Sequence, residues 1–151
     1  MAVQKTLGII KPNAVERRLV GAIAKAIEDG GLRIVAMRML RLTKERACAF
    51  YAVHEGKPFY EGLVEFMSSG PIVAMVLEGE DAIAKWREIM GATDPTKAAP
   101  GTIRHDFCLE VGRNLTHASD SPENGLKEAA LWFKPAETVA WKRAVDPWIF
   151  E

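Results

Sequence analysis

The stretch Asn114-Leu-Thr-His-Ala-Ser-Asp-Ser121 places one histidine, His117, among small polar residues just ahead of a strong helix start. Ser121 suits the N-cap, Pro122 the first helical position, and Glu123 the positive end of the helix dipole. Glu128, further along the same helix, is an acid able to reach back and orient an imidazole. A histidine held by a carboxylate keeps one ring nitrogen protonated and frees the other as a nucleophile or base. Read alone, the segment equally suits a surface loop with a solvated histidine.

A set of isolated cations stands at element ends. Lys11 closes an apolar run before Pro12, and Arg87 precedes the turn Met90-Gly-Ala-Thr-Asp-Pro95, which carries a hydroxyl at Thr93. Arg104 follows a loop in Gly101-Thr-Ile-Arg-His-Asp-Phe107. Each alone is a solvated surface charge on the simplest view. Together they form a candidate phosphate clamp, because the guanidinium fork matches phosphate oxygens. The glycine loops that usually cradle phosphates are missing: neither G-x-x-x-x-G-K-[ST] nor G-x-G-x-x-G occurs. His54, His105 and His117 have no metal-ligand spacing with Cys48 or Cys108, and no G-x-S-x-G elbow appears.

The elements that must position these residues follow from the apolar pattern. Thr6 to Ile10 reads as a buried strand stopped by proline. Val15, Leu19, Ile23 and Ile27 predict one amphipathic helix over Ala14 to Asp29, closed by Gly30-Gly31. Arg33 to Leu42 alternates as a second strand, with Ile34, Ala36 and Arg38 on one face and Val35, Met37 and Met39 on the other. Thr43 caps a helix to about Val53, and Pro58 to Ser68 forms another. A strand Ile72 to Leu77 and a helix Asp81 to Met90 follow. Gly91 to Thr102 is a long irregular stretch, a length that usually signals function or disorder. A short strand near Leu115 to His117 precedes the helix Pro122 to Phe133. The tail carries Trp141, Trp148, Ile149 and Phe150, which are expected to pack on the domain or a neighbour.

This order predicts an α+β sandwich, a split βαβ arrangement with helices on an antiparallel sheet. The 151 residues suffice for one domain with a sizeable core. The 20 basic and 20 acidic side chains cancel, so any anion site must be local rather than a nucleic-acid coat or membrane surface. Both cysteines are expected to be structural thiols. With no signal-like N-terminus and no apolar run of membrane length, the expected location is the cytoplasm.

Seven motifs in order resemble the nucleoside diphosphate kinase family, from Thr6 to Glu151. They are Ile9-Ile-Lys-Pro-Asn-Ala14, Phe50-Tyr-Ala-Val-His54, Pro58-Phe59, Leu63-Val-Glu-Phe-Met67 with Ser69-Gly-Pro71, Met90-Gly-Ala-Thr-Asp-Pro95, Gly101-Thr-Ile-Arg104 and Asn114-Leu-Thr-His-Ala-Ser-Asp120. The resemblance implies a ferredoxin-like βαββαβ sandwich, a four-stranded antiparallel sheet covered by helices. It also implies transfer of the terminal phosphate between nucleoside tri- and diphosphates through a phosphohistidine, with broad base tolerance. Residue by residue, His117 becomes the nucleophile at Nδ1, Glu128 holds the other ring nitrogen, and Ser119 steadies Glu128. Lys11, Tyr51, Arg87, Thr93, Arg104 and Asn114 then hold phosphates and ribose. Phe59 stacks on the base, bordered by Leu63 and Val111. Mg2+ is expected to arrive on the nucleotide phosphates and not in a protein cage, in keeping with the lack of a carboxylate cluster.

Two positions depart from the family's habit: Ala118 stands where glycine is usual, and His105 where glycine or alanine is. Neither removes a catalytic group. The resemblance further implies a homo-oligomer, a hexamer with a tetramer as the alternative, because the chain continues past Phe133 as hexameric members do. Residues 134–151 are expected to pack on the single domain 1–151 or on a neighbouring subunit, and Pro100-Gly101 matches the loop near the threefold axis of such hexamers. Neither a membrane nor a nucleic acid is an expected partner. The contrasting reading is a binding or regulatory module on the same fold, which would suit a chain lacking the histidine or a clamp residue.

Overall fold

The computed structural model describes residues 3–92, 94–107, 116–119 and 121–141. Among the described residues there are four strands: β1 (Val3–Ile10), β2 (Arg33–Arg41), β3 (Pro71–Glu80) and β4 (Thr116–Ala118). The helices are α1 (Pro12–Glu16), α2 (Val20–Asp29), α3 (Lys44–Phe50), α4 (Tyr60–Met67), α5 (Ala82–Met90), α6 (Ile103–Phe107) and α7 (Pro122–Trp132). The sheet runs β2-β3-β1-β4 and all neighbouring strands pair antiparallel. In place of four comparable strands there are three long ones, with β4 a three-residue strip on the edge of β1.

The period of two in β1 and β3 sorts side chains onto two cores. Leu7, Ile9, Ile72, Ala74 and Val76 face a cluster with Ala47 of α3, Val64 and Met67 of α4, and Ala129 and Trp132 of α7. Ile10, Val73, Met75 and Leu77 face the opposite cluster with Ile23 and Ile27 of α2 and Ala82, Trp86 and Met90 of α5. Helices therefore cover both faces of the sheet. None among the described residues is long and apolar enough to cross a membrane.

Three expectations need correction. The helix over Ala14 to Asp29 is two, broken at Arg17-Arg18-Leu19, where Arg18 has φ +59°. Val15 and Leu19 still pack on the cluster that holds Ile23 and Ile27, so the apolar stripe runs straight through the break and hides it. In β2 the register slips between Ile34 and Ala36. This bulge puts Val35 and Ala36 on the same core while Ile34 packs on the other, which reverses the expected faces from Ala36 onward. The carbonyls of Ile34 and Val35 then accept from the indole N–H of Trp141 (3.1 Å) and the amide of Val139 (2.8 Å), docking the C-terminal segment. Last, the loop after Gly91 is not irregular throughout. A 3-10 turn covers Pro95–Lys97, and Thr102 caps α6 by accepting from the amide of His105 at 3.3 Å.

Other signals lie where expected. Thr43 caps α3 by accepting from the amide of Arg46, and Ser121 caps α7 by accepting from the amide of Asn124. The helix after Thr43 differs from expectation in its end: it stops at Phe50 instead of about Val53, with a separate turn at Ala52–His54. Cys48 is a free thiol. Cys108, Trp148, Ile149 and Phe150 lie outside the described residues.

Candidate active site

His117 sits in the middle of β4, directly across from Ile9 in the ladder. Its neighbour β1 ends one residue later, and Lys11, buried at 8% exposure, is the first residue beyond it. Helix α7 returns over β1 at close range because residue 125 is glycine. A Cβ there would lie 2.5 Å from the carbonyl oxygen of Lys5. That approach brings Glu128, on the next turn, to the imidazole.

The resulting contacts are specific. His117 Nε2 lies 3.2 Å from Glu128 Oε1, with the two side chains 19% and 23% exposed. The hydroxyl of Ser119 donates to Glu128 Oε2 and accepts from the amide of Leu7 at 3.4 Å. Ser119 is itself fully enclosed. With Nε2 facing a carboxylate, it is the nitrogen that carries the proton, which makes Nδ1 the one with the free lone pair. Nδ1 has no hydrogen-bond partner among the described residues.

Aromatic rings wall the imidazole. Phe50, at the end of α3, meets His117 edge-on with centroids 5.5 Å apart, and meets Tyr51 and Trp132 in the same manner. The indole N–H of Trp86 in α5 donates to the backbone carbonyl of His117 at 2.9 Å. Phe50 enters the sequence reading only as the first residue of a motif, and Trp86 not at all. Tyr51 is buried, and its hydroxyl has no hydrogen-bond partner among the described residues. Burial and the nearby Glu128 charge push its pKa well above the ordinary phenol value. A ring path continues outward, from Tyr51 to His54 and then to Phe59, which is 52% exposed at the start of α4. Leu63 packs against the core cluster that contains Tyr51.

The cations arrive from the other side. Arg87 follows Trp86 on α5 and is exposed. Arg104 is buried and donates from Nη1 to the carbonyl of Gly91 (3.0 Å), the residue that ends α5. Gly91 has φ +86°, and a Cβ there would stand 2.5 Å from Thr102 Oγ1, so glycine is needed for the loop to close on the helix end. His105 does not join the clamp: its Nδ1 pairs with Asp106 at 2.9 Å, which holds the Asp106 carboxyl below its ordinary pKa. The structure thus joins His117, Glu128 and Ser119 directly, brings Tyr51 to them through the Phe50 ring, and ties Arg104 to the helix of Arg87. Phe59 reaches the group only through His54. Thr93, Val111 and Asn114 lie outside the described residues.

A family model described as nucleoside diphosphate kinase matches residues 4–138. A nucleoside diphosphate kinase of Roseiflexus sp. (strain RS-1) is 50% identical over 148 residues, covering 98% of this chain and 99% of its own. One from Moorella thermoacetica is 56% identical over 137 residues, covering 91% of this chain and 99% of its own. Among solved structures, a halophilic nucleoside diphosphate kinase from Halobacterium salinarum in complex with CDP superposes with a TM-score of 0.93 at 43% identity. That match covers 99% of this chain and 100% of the other. The Aquifex aeolicus nucleoside diphosphate kinase gives 0.88 at 49% identity, covering 91% of this chain and 100% of its own.

Proposed function

The chain belongs to the nucleoside diphosphate kinase family, and we propose that it passes the phosphate through Nδ1 of His117. Its activity is the family's: the terminal phosphate of a nucleoside triphosphate goes to a nucleoside diphosphate. The observation that carries the His117 assignment is the Nε2–Glu128 contact backed by Ser119. In the first half-reaction the Nδ1 lone pair attacks the γ-phosphorus, and the bond to the β–γ bridging oxygen breaks, releasing the diphosphate. The proton stays on Nε2, where Glu128 offsets the positive charge that develops on the ring. In the second half, a terminal oxygen of another nucleoside diphosphate attacks the phosphorus and His117 leaves as the free imidazole. Splitting transfer at a covalent histidine lets one site serve both nucleotides in turn.

Lys11, Arg87 and Arg104, with Thr93 and Asn114, hold the phosphates and ribose in this reading. Catalysis of this class is mostly positioning and charge neutralisation. These donors suit phosphate oxygens and not a metal, so Mg2+ comes in as part of the nucleotide substrate. Tyr51 offers its hydroxyl as a proton donor to the same oxygens. Phe59 is the stacking platform, with Leu63 and Val111 at its border. Because every base has a π-face, stacking of this kind tolerates purines and pyrimidines alike. The CDP bound in the Halobacterium relative is in keeping with that.

We place the activity in the cytoplasm, in a single domain over 1–151 that assembles into a homo-oligomer, a hexamer with a tetramer as the alternative. The outward side chains of the edge strand β2, Met37 at 48% and Met39 at 59% exposure, support an assembly that covers them. Light scattering at micromolar concentration measures the mass; a monomer contradicts this part of the proposal. For the chemistry, the test is incubation with γ-labelled ATP. An acid-labile, base-stable phosphoenzyme that any nucleoside diphosphate discharges is the expected result. No uptake of label overturns it in favour of a binding or regulatory role.

A further inference from the structure

Trp86 is fully enclosed, and its single polar atom, the indole N–H, points at the peptide carbonyl of His117. To get there the indole crosses β1 over Gly8, where a Cβ would be in van der Waals contact with Trp86 Cζ2 at 3.5 Å. Gly8 pairs with Ala118 in the ladder, so the indole lies beside the very segment of β4 that bears the histidine. A buried tryptophan needs some acceptor for its N–H, and this contact alone would satisfy that need. The choice of acceptor is what carries information. β4 has three residues and sits at the sheet edge, and among the described residues this is the one side-chain hydrogen bond that α5 makes to its backbone.

We propose that Trp86 is a positioning residue for the phosphoryl transfer: it anchors the His117 peptide to α5, the helix that carries Arg87. The inference rests on the assignment of His117 as nucleophile. During the cycle the imidazole gains and loses a phosphate with its large negative charge, and Nδ1 must return to the same place to face the second nucleotide. Glu128 fixes the ring from one side, and Trp86 fixes the backbone that carries it from the other. Because Arg87 is the next residue along α5, the tie also sets the separation between the nucleophile and that cation. Misplacement by a fraction of an ångström is enough to slow a reaction that depends on alignment.

The test uses the full-length protein and Trp86→Phe, which keeps an aromatic ring but removes the N–H. Rapid quench with γ-labelled ATP should show phosphoenzyme formation slowed about five- to tenfold, the scale of one lost hydrogen bond. Discharge by ADP should slow by a similar factor, with KM for the nucleotides essentially unchanged. Phosphorylation at the wild-type rate overturns the proposal, as does a loss that vanishes once the measurement is made well below the melting temperature of the variant. A second measurement stands even if Trp86→Phe does not fold. The Trp86 indole resonance of the wild-type protein, one of 4 tryptophans and assignable by replacing Trp132, Trp141 and Trp148 with Phe, should shift when ATP loads His117. A resonance indifferent to phosphorylation contradicts the tie. If wild type takes no label at His117, it is the nucleophile assignment that fails. If wild type labels normally, the variant speaks to Trp86 alone.

Discussion

Around His117 the fixing contacts join segments far apart in sequence, whereas around Arg104 most of them stay within one stretch of loop. Ser119 reaches Leu7 on β1, Trp86 reaches His117 from α5, and Gly125 presses on the backbone of Lys5. By contrast Thr102 bonds Ala99 and His105, Asp106 accepts from Gly101, and Arg104 itself bonds Gly91. The first region exists only when the sheet is complete. The second is closed mainly by bonds between near neighbours, with Ile103 anchoring it in the core. On the proposed assignment of the site, this division suits a histidine that returns to one place and a loop that receives nucleotides of different bases.

Substitutions can break the contrast from either side. The largest effect expected is His117→Ala, which should abolish transfer while leaving the melting temperature near wild type, because the imidazole is partly exposed and belongs to neither core cluster. Arg104→Ala should lower kcat/KM by roughly a hundred- to a thousandfold, the range for removing one preorganised donor to transition-state charge. Steady-state assays with ATP and CTP should show the same factor for both. Strong discrimination between them would mean that the base slot has been misplaced.

Two glycines test the long-range and local character directly. Gly125→Ala forces a Cβ toward the Lys5 carbonyl and should cost about 1–3 kcal/mol of stability as an overpacked site. Urea unfolding measures that cost, and the loss of activity should exceed it because Glu128 moves with the helix. Gly91→Ala places a side chain at φ +86° against Thr102. It should lower kcat/KM through Arg104 with a smaller loss of stability than Gly125→Ala. Equal stability losses would erase the distinction between the regions.

Smaller effects are expected where the slot meets solvent. Phe59→Ala should raise KM severalfold for purine and pyrimidine nucleotides together, with kcat little changed. Tyr51→Phe removes a buried hydroxyl that lacks a partner, so thermal stability should hold or rise while KM increases. The sign of its pH effect is also fixed. The folded-state pKa is raised above the unfolded value of about 10, so wild type should lose stability as pH climbs past that value. The Tyr51→Phe variant should lose less over the same range.

The pairing of His117 with Glu128 was legible in the sequence because both stand in stretches with a local signature. Ser121 and Pro122 announce the start of α7, the helix places Glu128, and the short polar run before it isolates His117. The pattern was blind where a signature is tertiary. The break at Arg17-Arg18-Leu19 leaves the apolar stripe unchanged, and the bulge at Val35 shows only once β3 fixes the register. Trp86 is a core residue and Phe50 packs against the core, and their residue types say no more than that. Only the partner across the sheet reveals what else they touch. The cap at Thr102 was readable, a hydroxyl just ahead of an apolar residue, yet the two prolines and two glycines around it suggested loop throughout.

The central claim is that Glu128 occupies Nε2 and leaves Nδ1 to carry the phosphate. Phosphorus–nitrogen correlated NMR on enzyme with 15N-labelled histidine, loaded with ATP under alkaline quench, resolves which ring nitrogen bears it. The account predicts one phosphorus signal coupled to Nδ1 of His117, lost on addition of ADP. Coupling to Nε2, or a phosphate on any other residue, would contradict it.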